Sequence, residues 1–218
     1  MDGRRSTDEE TLKIVTMVYA GYINKNIVAR LQSYDCNAIG LCGADGNAIL
    51  ARKRKPNLQT LTGANQVSDY GYVGDIDHVN ISLLDSLLKN NLSLVVAPLT
   101  HNKEGQLLNT NADTIAQEIA KAMSGYYAVT LIYSFEKAGV LTDVSDEKSV
   151  IRKLNWEYYQ ELRSPNEGTA SKIFAGMIPK LDNAFAAINY GVEKVIIGKA
   201  EQLEKLIRGE AGTNILNE

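Results

Sequence analysis

The sequence predicts an α/β fold built around a mainly parallel sheet. Short apolar segments rich in β-branched residues, at 93–98, 129–133 and 195–197, alternate with segments whose apolar residues recur every three or four positions. Such alternation is typical of strands connected by helices. Residues 94–97 are apolar without interruption and precede Pro98, which predicts a fully buried parallel strand that ends at the proline.

The first predicted element is one long helix over residues 8–33. Thr7 and Glu10 have the spacing of a capping box, in which two side chains bond to backbone N–H groups at the start of a helix. Apolar residues then recur at the helical period. Gly21 is the weakest point of this helix, because glycine is a poor helix former.

A hairpin and a loop are predicted next. The dipeptide Asp45-Gly46 is a turn signal between two strands at 38–42 and 48–52. The basic run 52–55 then lies at a solvated hairpin end rather than in a binding patch. Residues 55–69 are polar and mixed, which predicts an exposed loop.

The remaining elements continue the alternation, and a soft boundary between two halves falls near residues 98–105. The patterns predict strands at 72–79, 129–133 and 195–197, and helices at about 83–88, after Asn111, from about Pro179 and at 203–207. The polar stretch at 156–159 separates two of these elements.

Composition narrows the classes of function. The 26 acidic residues outnumber the 23 basic ones, for a formal net charge of −3, so nucleic-acid binding is not expected as the main task. No stretch reaches the ~18 consecutive apolar residues of a membrane span, and no signal-peptide pattern opens the sequence. Cys36 and Cys42 lie too far apart on one predicted strand segment for a disulfide, and they fit a reducing cytoplasm.

Several common site patterns do not occur in the sequence. There is no Walker A motif, so P-loop phosphate binding is not supported. The glycines at 40, 43 and 46 fall in the predicted hairpin and do not form a dinucleotide fingerprint. His78 and His101 lack ligand spacing, so no metal site of histidine and cysteine is expected.

The most informative polar residues are Asn109, Asn111 and Asp113. In an extended chain these three point the same way, and they stand at the entrance to a predicted helix. Backbone N–H groups and the helix dipole favour anions there. Helix capping by Asn and Asp explains the same composition; one capping residue would suffice, so both interpretations remain open.

Two basic residues are further candidates. Lys180 falls in the first turn of the helix that begins near Pro179, where a cation opposes the helix dipole. An ammonium group placed there is well explained if it meets a phosphate, although an exposed lysine is the plainer alternative. Arg5, just before the long helix, can hold a carboxylate through two parallel hydrogen bonds.

Taken together, these segments resemble the amino acid kinase family. Each motif alone is modest, but their order and spacing hold over nearly the whole chain. The matching segments are residues 3–7, 21–25, 39–46, 72–76, 108–113, 139–141, 176–180 and 212–213.

The resemblance implies an αβα sandwich with a mainly parallel central sheet. It also implies ATP-dependent phosphorylation of the side-chain carboxylate of an N-acylated glutamate, acetyl or succinyl, to an acyl phosphate in cytoplasmic arginine biosynthesis. ATP would act with Mg²⁺. Residues 1–100 would form the lobe for N-acylglutamate binding and dimerisation, and residues 101–218 the ATP-binding lobe. We expect a homodimer, not inhibited by arginine. Tyr19 and Tyr22 on the long helix are candidates for its surface, although burial of these rings within one chain is equally plausible.

The same resemblance assigns roles to residues. Arg5 and Asn109 would hold the α-carboxylate of the amino acid. Asp113 would orient the catalytic lysines, and Lys180 would stabilise charge on the transferring phosphoryl group. Asn111 would lie near the phosphates. The nucleotide pocket would run from Glu136 through Gly139, Val140 and Leu141. Phosphoryl transfer fits these residue types, because it needs positioning and cationic stabilisation more than covalent chemistry.

The sequence departs from the family pattern in two places. The family's N-terminal Lys-x-Gly-Gly and His-Gly-Gly-Gly segments do not occur, so the sequence is N-terminally shortened relative to the family and we expect very low turnover from these residues alone. Residues 135–138 replace the family's usual segment before Gly139, which weakens the nucleotide assignment of Glu136. Two alternatives remain: a catalytically impaired paralogue or fragment that binds ligand, and a kinase of the same fold for another carboxylate, a carbamate or a nucleoside monophosphate.

Overall fold

The computed structural model describes residues 6–61, 64–143, 145–163 and 175–217, with only the backbone described for 57–61, 64–68 and 175. The chain forms two compact units, Met1–Ile115 and Ala116–Glu218. The dividing point lies within a helix. The predicted lobes, 1–100 and 101–218, were assigned by the ligand that each would bind and not by compactness. The division into these two lobes therefore remains a prediction.

The described residues of unit 1 form three sheets. Strands β1 and β6 pair in parallel, β3 and β4 form an antiparallel hairpin, and a four-stranded sheet has the order β5-β2-β7-β8. The elements in chain order are α1 (Glu9–Val15), α2 (Asn24–Gln32), β1 (Ala38–Leu41), β2 (Ile49–Lys53), β3 (Asn57–Leu61), β4 (Ala64–Ser68), β5 (Gly74–Val79), α3 (Ile81–Lys89), β6 (Ser93–Val96), β7 (Leu99–His101), β8 (Leu107–Asn109) and α4 (Ala112–Ser124), which continues into unit 2.

The predicted N-terminal helix is confirmed. Helical structure runs from α1 through a π-helical segment, Thr16–Ile23, into α2. The wider π-helical turns surround Gly21, the predicted weak point. The predicted capping box is wrong, because Asp8 is the cap: its side chain accepts a 2.7 Å hydrogen bond from the backbone N of Thr11. Thr7 does not cap the helix; it is buried and forms hydrogen bonds with other segments.

The predicted hairpin of the first two strands is also wrong. Strand β1 pairs with β6, whereas β2 pairs antiparallel with β5 and parallel with β7. A short 3₁₀ turn, Asp45–Asn47, joins the two strands, with Gly46 and Asn47 both at positive φ. The predicted turn therefore forms, but the two strands that it joins pair with other strands, distant in the sequence, and not with each other.

Two further predictions need correction. Residues 55–69, predicted as a loop, contain the β3–β4 hairpin, whose polar strands lack the apolar alternation that marks a half-buried strand. Strand β6 ends before Pro98 as predicted, but Leu94, Val95 and Val96 are half-buried rather than fully buried.

A buried amide fixes α2 against the β1–β6 pair. Asn24 is 2% exposed, and its Nδ2 donates a 2.8 Å hydrogen bond to the backbone oxygen of Val95. The ammonium of Lys25 donates to the backbone oxygen of Gly40 at 2.8 Å. A Cβ at Gly40 would overlap the Asn24 carboxamide and press on Val28. Close approach of the helix therefore requires glycine at position 40.

In the part of unit 2 that the structure describes, the strands form a four-stranded sheet in the order β10-β12-β11-β9. Strands β9 and β11 are parallel, as are β10 and β12, while β12 runs antiparallel to β11. The elements are β9 (Thr130–Phe135), β10 (Lys153–Leu154), α5 (Trp156–Arg163), α6 (Ile178–Tyr190), β11 (Lys194–Lys199), α7 (Leu203–Ile207) and β12 (Thr213–Ile215).

The core of unit 2 packs α5 and α6 against this sheet. Its fully buried members include Leu154, Tyr159, Leu181, Ala184 and Val195. The predicted strands at 129–133 and 195–197 and the predicted helices near 179 and 203 are all present. In the described part of the chain, no helix combines the length and the apolar character needed to cross a membrane.

We predict opposite effects of alanine at two glycines. Gly40→Ala should lower the free energy of unfolding by about 1–3 kcal/mol, because the new methyl group overpacks against Asn24. Gly21→Ala, where nothing lies within 4 Å of the new Cβ, should raise it by about 0.5–1 kcal/mol through helix propensity. Urea unfolding followed by circular dichroism measures both, and equal effects of the two substitutions would contradict this packing.

Candidate functional site

The first group of candidate residues lies in unit 1, where hydrogen bonds join three chain segments. Asn109, the last residue of β8, donates its backbone N–H to the oxygen of Tyr72 at 2.8 Å. Its side-chain Nδ2 donates to the Thr7 hydroxyl oxygen at 3.0 Å. Thr7 in turn donates its backbone N–H to Tyr70. Arg5, the other predicted carboxylate-binding residue, lies outside the described residues.

Asn111 and Asp113 lie at the start of α4. The Asn111 side-chain oxygen accepts a 3.1 Å hydrogen bond from the backbone N of Thr114, so this amide caps the helix, as the plainer alternative expected. Asp113 is half-buried in the first turn, where the helix dipole stabilises a carboxylate. The side chains of Asn109 and Asn111 therefore form hydrogen bonds with different parts of the chain.

A cluster of charges and rings adjoins this group and was not predicted. Arg52 on β2 forms an ion pair with Asp77, and Arg54, the residue after β2, forms one with Asp75; both acids lie on β5. The Arg54 guanidinium also lies 5.6 Å from the centre of the Tyr70 ring. The basic run is thus part of a sheet with cross-strand ion pairs, not a hairpin end. The alternation of charges at 52 and 54 and at 75 and 77 is the signal that could have indicated it.

The second group lies in unit 2, at the carboxyl ends of two parallel strands. Phe135 ends β9 and is paired with Lys199, which ends β11. Residues 136–141 follow directly from β9, and Glu136 is exposed. Ligands of open α/β sheets bind in the crevice outside the carboxyl ends of the strands. The predicted nucleotide residues therefore occupy the position that this topology favours.

The backbone at residues 139–141 is held tightly. The buried N–H of Val140 donates to the Thr213 hydroxyl at 2.8 Å, and its oxygen accepts from the backbone N of Ile151 at 2.8 Å. A Cβ at Gly139 would come within 2.7 Å of the Thr213 hydroxyl oxygen. The side chains of Val140 and Leu141 are buried, so any contact that these two residues make with a ligand would come from the backbone.

Lys180 lies close to the same strand end. It is the third residue of α6, and its ammonium nitrogen lies 5.6 Å from the ring centre of Tyr133 and 5.7 Å from that of Phe135. Tyr133 and Phe135 are two positions apart on β9, so their rings face the same side of the sheet. Such cation–π contacts hold the ammonium on that face. Lys180 therefore lies beside Phe135, the residue that directly precedes the predicted nucleotide segment.

The helix that carries Lys180 is anchored by a network that sequence reasoning missed. The hydroxyl of Tyr159 donates a 2.7 Å hydrogen bond to the Asp182 carboxylate, which also accepts from Arg163 at 2.9 Å. The Tyr159 ring is fully buried and stacks on Phe185 at 5.1 Å between centres. Burial, followed by the nearby Asp182 carboxylate, raises the pKa of Tyr159 well above its usual range. The interpretation of 156–159 as a polar stretch between elements is wrong, because these residues begin α5; their three aromatic rings were the available signal.

A protein-built metal centre is not evident in the described ranges. They hold no group of three or more His, Cys, Asp and Glu side chains placed to share an ion. His101 instead contacts the Asn47 side chain at 2.8 Å and the Asn102 backbone oxygen at 3.1 Å.

Comparison with known proteins gives consistent matches. Residues 2–199 match the profile of the amino acid kinase family. Acetylglutamate kinase of Cytophaga hutchinsonii is 55% identical over 207 residues, which cover 95% of this chain and 74% of that protein. Acetylglutamate kinase of Bacteroides fragilis is 50% identical over 215 residues, covering 99% and 76%. The chain thus spans about three quarters of the length of these relatives.

The fold has solved counterparts. The crystal structure of smu.665 from Streptococcus mutans superposes with a TM-score of 0.76 at 27% identity, covering 100% of this chain and 76% of that one. The match confirms the predicted fold class, with helices on both sides of parallel sheet segments.

We predict that Tyr159→Phe lowers the free energy of unfolding at pH 7 by about 1–2 kcal/mol, because the hydrogen bond to Asp182 is lost. The raised folded-state pKa adds a pH dependence. The contribution of Tyr159 is complete below the unfolded tyrosine pKa of about 10 and is lost as pH rises towards the folded-state value. Above pH ~10 the wild type should therefore lose stability more steeply than the variant.

Chemical unfolding at pH 7 to 11 measures this difference. Tyr34→Phe removes a hydroxyl from a ring that is 81% exposed and should change stability at pH 7 by less than about 0.5 kcal/mol. Identical slopes for wild type and Tyr159→Phe above pH 10 would contradict the assignment.

Proposed function

The chain belongs to the amino acid kinase family, and we propose from this that it catalyses ATP-dependent phosphorylation of the side-chain carboxylate of N-acetyl-L-glutamate in arginine biosynthesis. The observation that carries the proposal is the 48–55% identity, over about 95% of the chain, to relatives named acetylglutamate kinase. The product is an acyl phosphate, formed when a carboxylate oxygen attacks the γ-phosphorus and ADP leaves. This class of enzyme is a phosphotransferase with a carboxyl acceptor.

In the proposed reaction, the residues of unit 1 bind the amino acid. Arg5 and the Nδ2 of Asn109 hold the α-carboxylate through N–H donors, the groups that carboxylate oxygens accept. Asp113 orients the catalytic lysines through its negative charge. The hydrogen bond of Asn109 to Thr7 supports this proposal, because it holds the carboxamide in one position before substrate arrives.

The residues of unit 2 bind the nucleotide and the transferring group. Glu136, Gly139, Val140 and Leu141 form part of the nucleotide site, and Asn111, the unit 1 residue that caps α4, lies near the phosphates. Lys180 stabilises the negative charge that spreads over the phosphoryl oxygens as they transfer, which is the main demand of phosphoryl transfer on a protein. The position of Lys180 beside the carboxyl end of β9 supports this role. Residues 1–100 and 101–218 would then be the amino acid and nucleotide lobes.

Mg²⁺ is proposed to arrive with ATP. In kinase sites this ion is commonly held by substrate phosphates and waters, with only one or two carboxylates. The described residues hold no group of three or more such ligands, and this mode needs only one or two carboxylates, such as Asp113. When bound, the ion would neutralise charge on the β- and γ-phosphates.

The cytoplasm is the proposed compartment. Both Cys36 and Cys42 are free thiols, which suits a reducing environment. Burial raises the pKa of the Cys42 thiol, and this keeps it in the unreactive protonated form.

A homodimer is proposed, with the N-terminal helix at its interface. Along 9–32 this helix exposes apolar side chains to a degree that is unusual for a surface helix, and single molecules rarely leave such a stripe uncovered. The exposed members are Ile14, Met17, Val18, Tyr19, Tyr22, Ile23 and Ile27. In a two-fold dimer the same surface of both copies forms the interface, so the helix of the second copy would lie in it as well.

We predict that the chain forms acyl phosphate from ATP and N-acetylglutamate, trapped by hydroxylamine as the hydroxamate. Lys180→Met should lower kcat about 10²–10³-fold, because a cation at the transferring phosphoryl group is lost. Lys205→Met, an exposed lysine on α7, should keep the wild-type rate. N-succinylglutamate in parallel reactions distinguishes the acyl groups.

Two results would contradict this function. One is binding of ATP and N-acetylglutamate by wild type, measured by calorimetry, without any hydroxamate; this favours the impaired ligand-binding paralogue. The other is equal loss of activity in the Lys180 and Lys205 variants, which would remove the specific role of Lys180.

We predict a two-fold mass in light scattering, reduced to that of one chain by Met17→Glu or Tyr22→Glu. A charge buried in an apolar interface without a partner carries a large desolvation cost. Tyr126→Glu in unit 2, at a ring that is 68% exposed, should leave the mass unchanged. A single-chain mass for wild type at micromolar concentration would overturn the dimer.

A further inference from the structure

We propose that Thr7 is a positioning residue that holds the carboxamide of Asn109 ready for the amino acid substrate. The inference rests on the proposed function, in which Asn109 binds the α-carboxylate. Thr7 would act through Asn109 and not by touching the substrate.

The backbone of Thr7 is fixed from both sides. Its N–H donates to the oxygen of Tyr70 at 3.0 Å, and its oxygen accepts from the N–H of Tyr72 at 2.7 Å. Between them Gly71 adopts φ +63°, and a Cβ at this position would overlap the Thr7 carbonyl oxygen. Thr7 therefore lies pressed against the 70–72 segment, in a position that only glycine at 71 permits.

Asn109 is tied to the same segment. Its backbone N–H donates to the oxygen of Tyr72 at 2.8 Å, and it pairs with Val73 in a parallel bridge. The 70–73 segment thus sets the distance between the backbones of Thr7 and Asn109. The 3.0 Å hydrogen bond between their side chains follows from this fixed spacing rather than from a chance contact of two flexible surface groups.

The chemistry of the two side chains explains what the bond achieves. The Asn109 nitrogen carries two N–H groups, and the Thr7 hydroxyl oxygen accepts one of them. The second N–H belongs to the same planar group, so its direction is fixed as well. Ordering a side chain before ligand arrives removes an entropic cost from binding. Thr7 itself is 2% exposed, which suits a supporting position rather than a contact with substrate.

The test is a double-mutant cycle on substrate affinity. Calorimetry with the full chain measures Kd for N-acetylglutamate and for a non-hydrolysable ATP analogue in wild type, Thr7→Val, Asn109→Ala and the double variant. Thr7→Val should weaken N-acetylglutamate binding about fivefold, which corresponds to about 1 kcal/mol, and leave the affinity for the ATP analogue unchanged. In the Asn109→Ala background the same substitution should have no effect, because its only route to the substrate is gone.

Two more variants separate positioning from general damage. Thr7→Ser keeps the hydroxyl and should restore wild-type affinity, which also provides a test should the valine variant not fold. Thr100→Val removes another buried hydroxyl of unit 1, one that bonds to Thr110 at 2.8 Å. It should lower the melting temperature without changing either Kd.

Each outcome decides one question. No binding of N-acetylglutamate by wild type, with the ATP analogue bound, overturns the proposed function and this inference with it. Wild-type affinity in Thr7→Val overturns the inference alone. An equal loss in both backgrounds, or a loss in Thr7→Ser, shows that Thr7 does not act through Asn109.

Discussion

The parallel pairing of β9 with β11 is the constraint on which the nucleotide half of the site depends. The pairing runs in register from Thr130 with Lys194 to Phe135 with Lys199, so both strands end at the same edge. The segment that starts at residue 136 must then begin at that edge. The alternation of side chains along β9 also places Tyr133 and Phe135 on the face that receives the Lys180 ammonium. One backbone ladder thus positions both the segment and the cation.

Buried hydrogen bonds play the corresponding part in unit 1. Asn24 ties the N-terminal helix to β6, and Thr7 ties Asn109 to the segment that follows β4. Buried polar groups without partners are costly, and in the described residues every buried side-chain polar atom has one. Breaking the bond of Asn24, which is 2% exposed, would leave a buried donor unsatisfied, so this bond favours one arrangement of helix and strands. The glycines at 40 and 71 permit the close approach that these bonds need.

The family, the fold class and most elements were predictable from the sequence. Ordered motifs over nearly the whole chain indicated the family. The apolar period indicated the long first helix, α3 and α4, and Pro179 indicated the start of α6. The pairing partner of β1 was not predictable, because Asp45-Gly46 is a local signal and β6 lies about fifty residues further on. The β3–β4 hairpin was missed because polar strands lack the alternation that burial imposes. The first helix is capped by Asp8, whereas the Thr7 hydroxyl accepts a hydrogen bond from Asn109, far away in the sequence.

The sequence by itself determined which chemistry is on offer: the amides, carboxylate and lysine at 109–113 and 180, and the glycines around them. Tertiary structure alone decided how those groups are held. The seating of Lys180 on two rings, the anchoring of its helix through Tyr159 and Asp182, and the bond from Thr7 to Asn109 all join residues distant in the chain. Local propensity acts over a few residues, whereas packing and hydrogen bonding between such segments depend on strand order and register, which no short stretch of sequence contains.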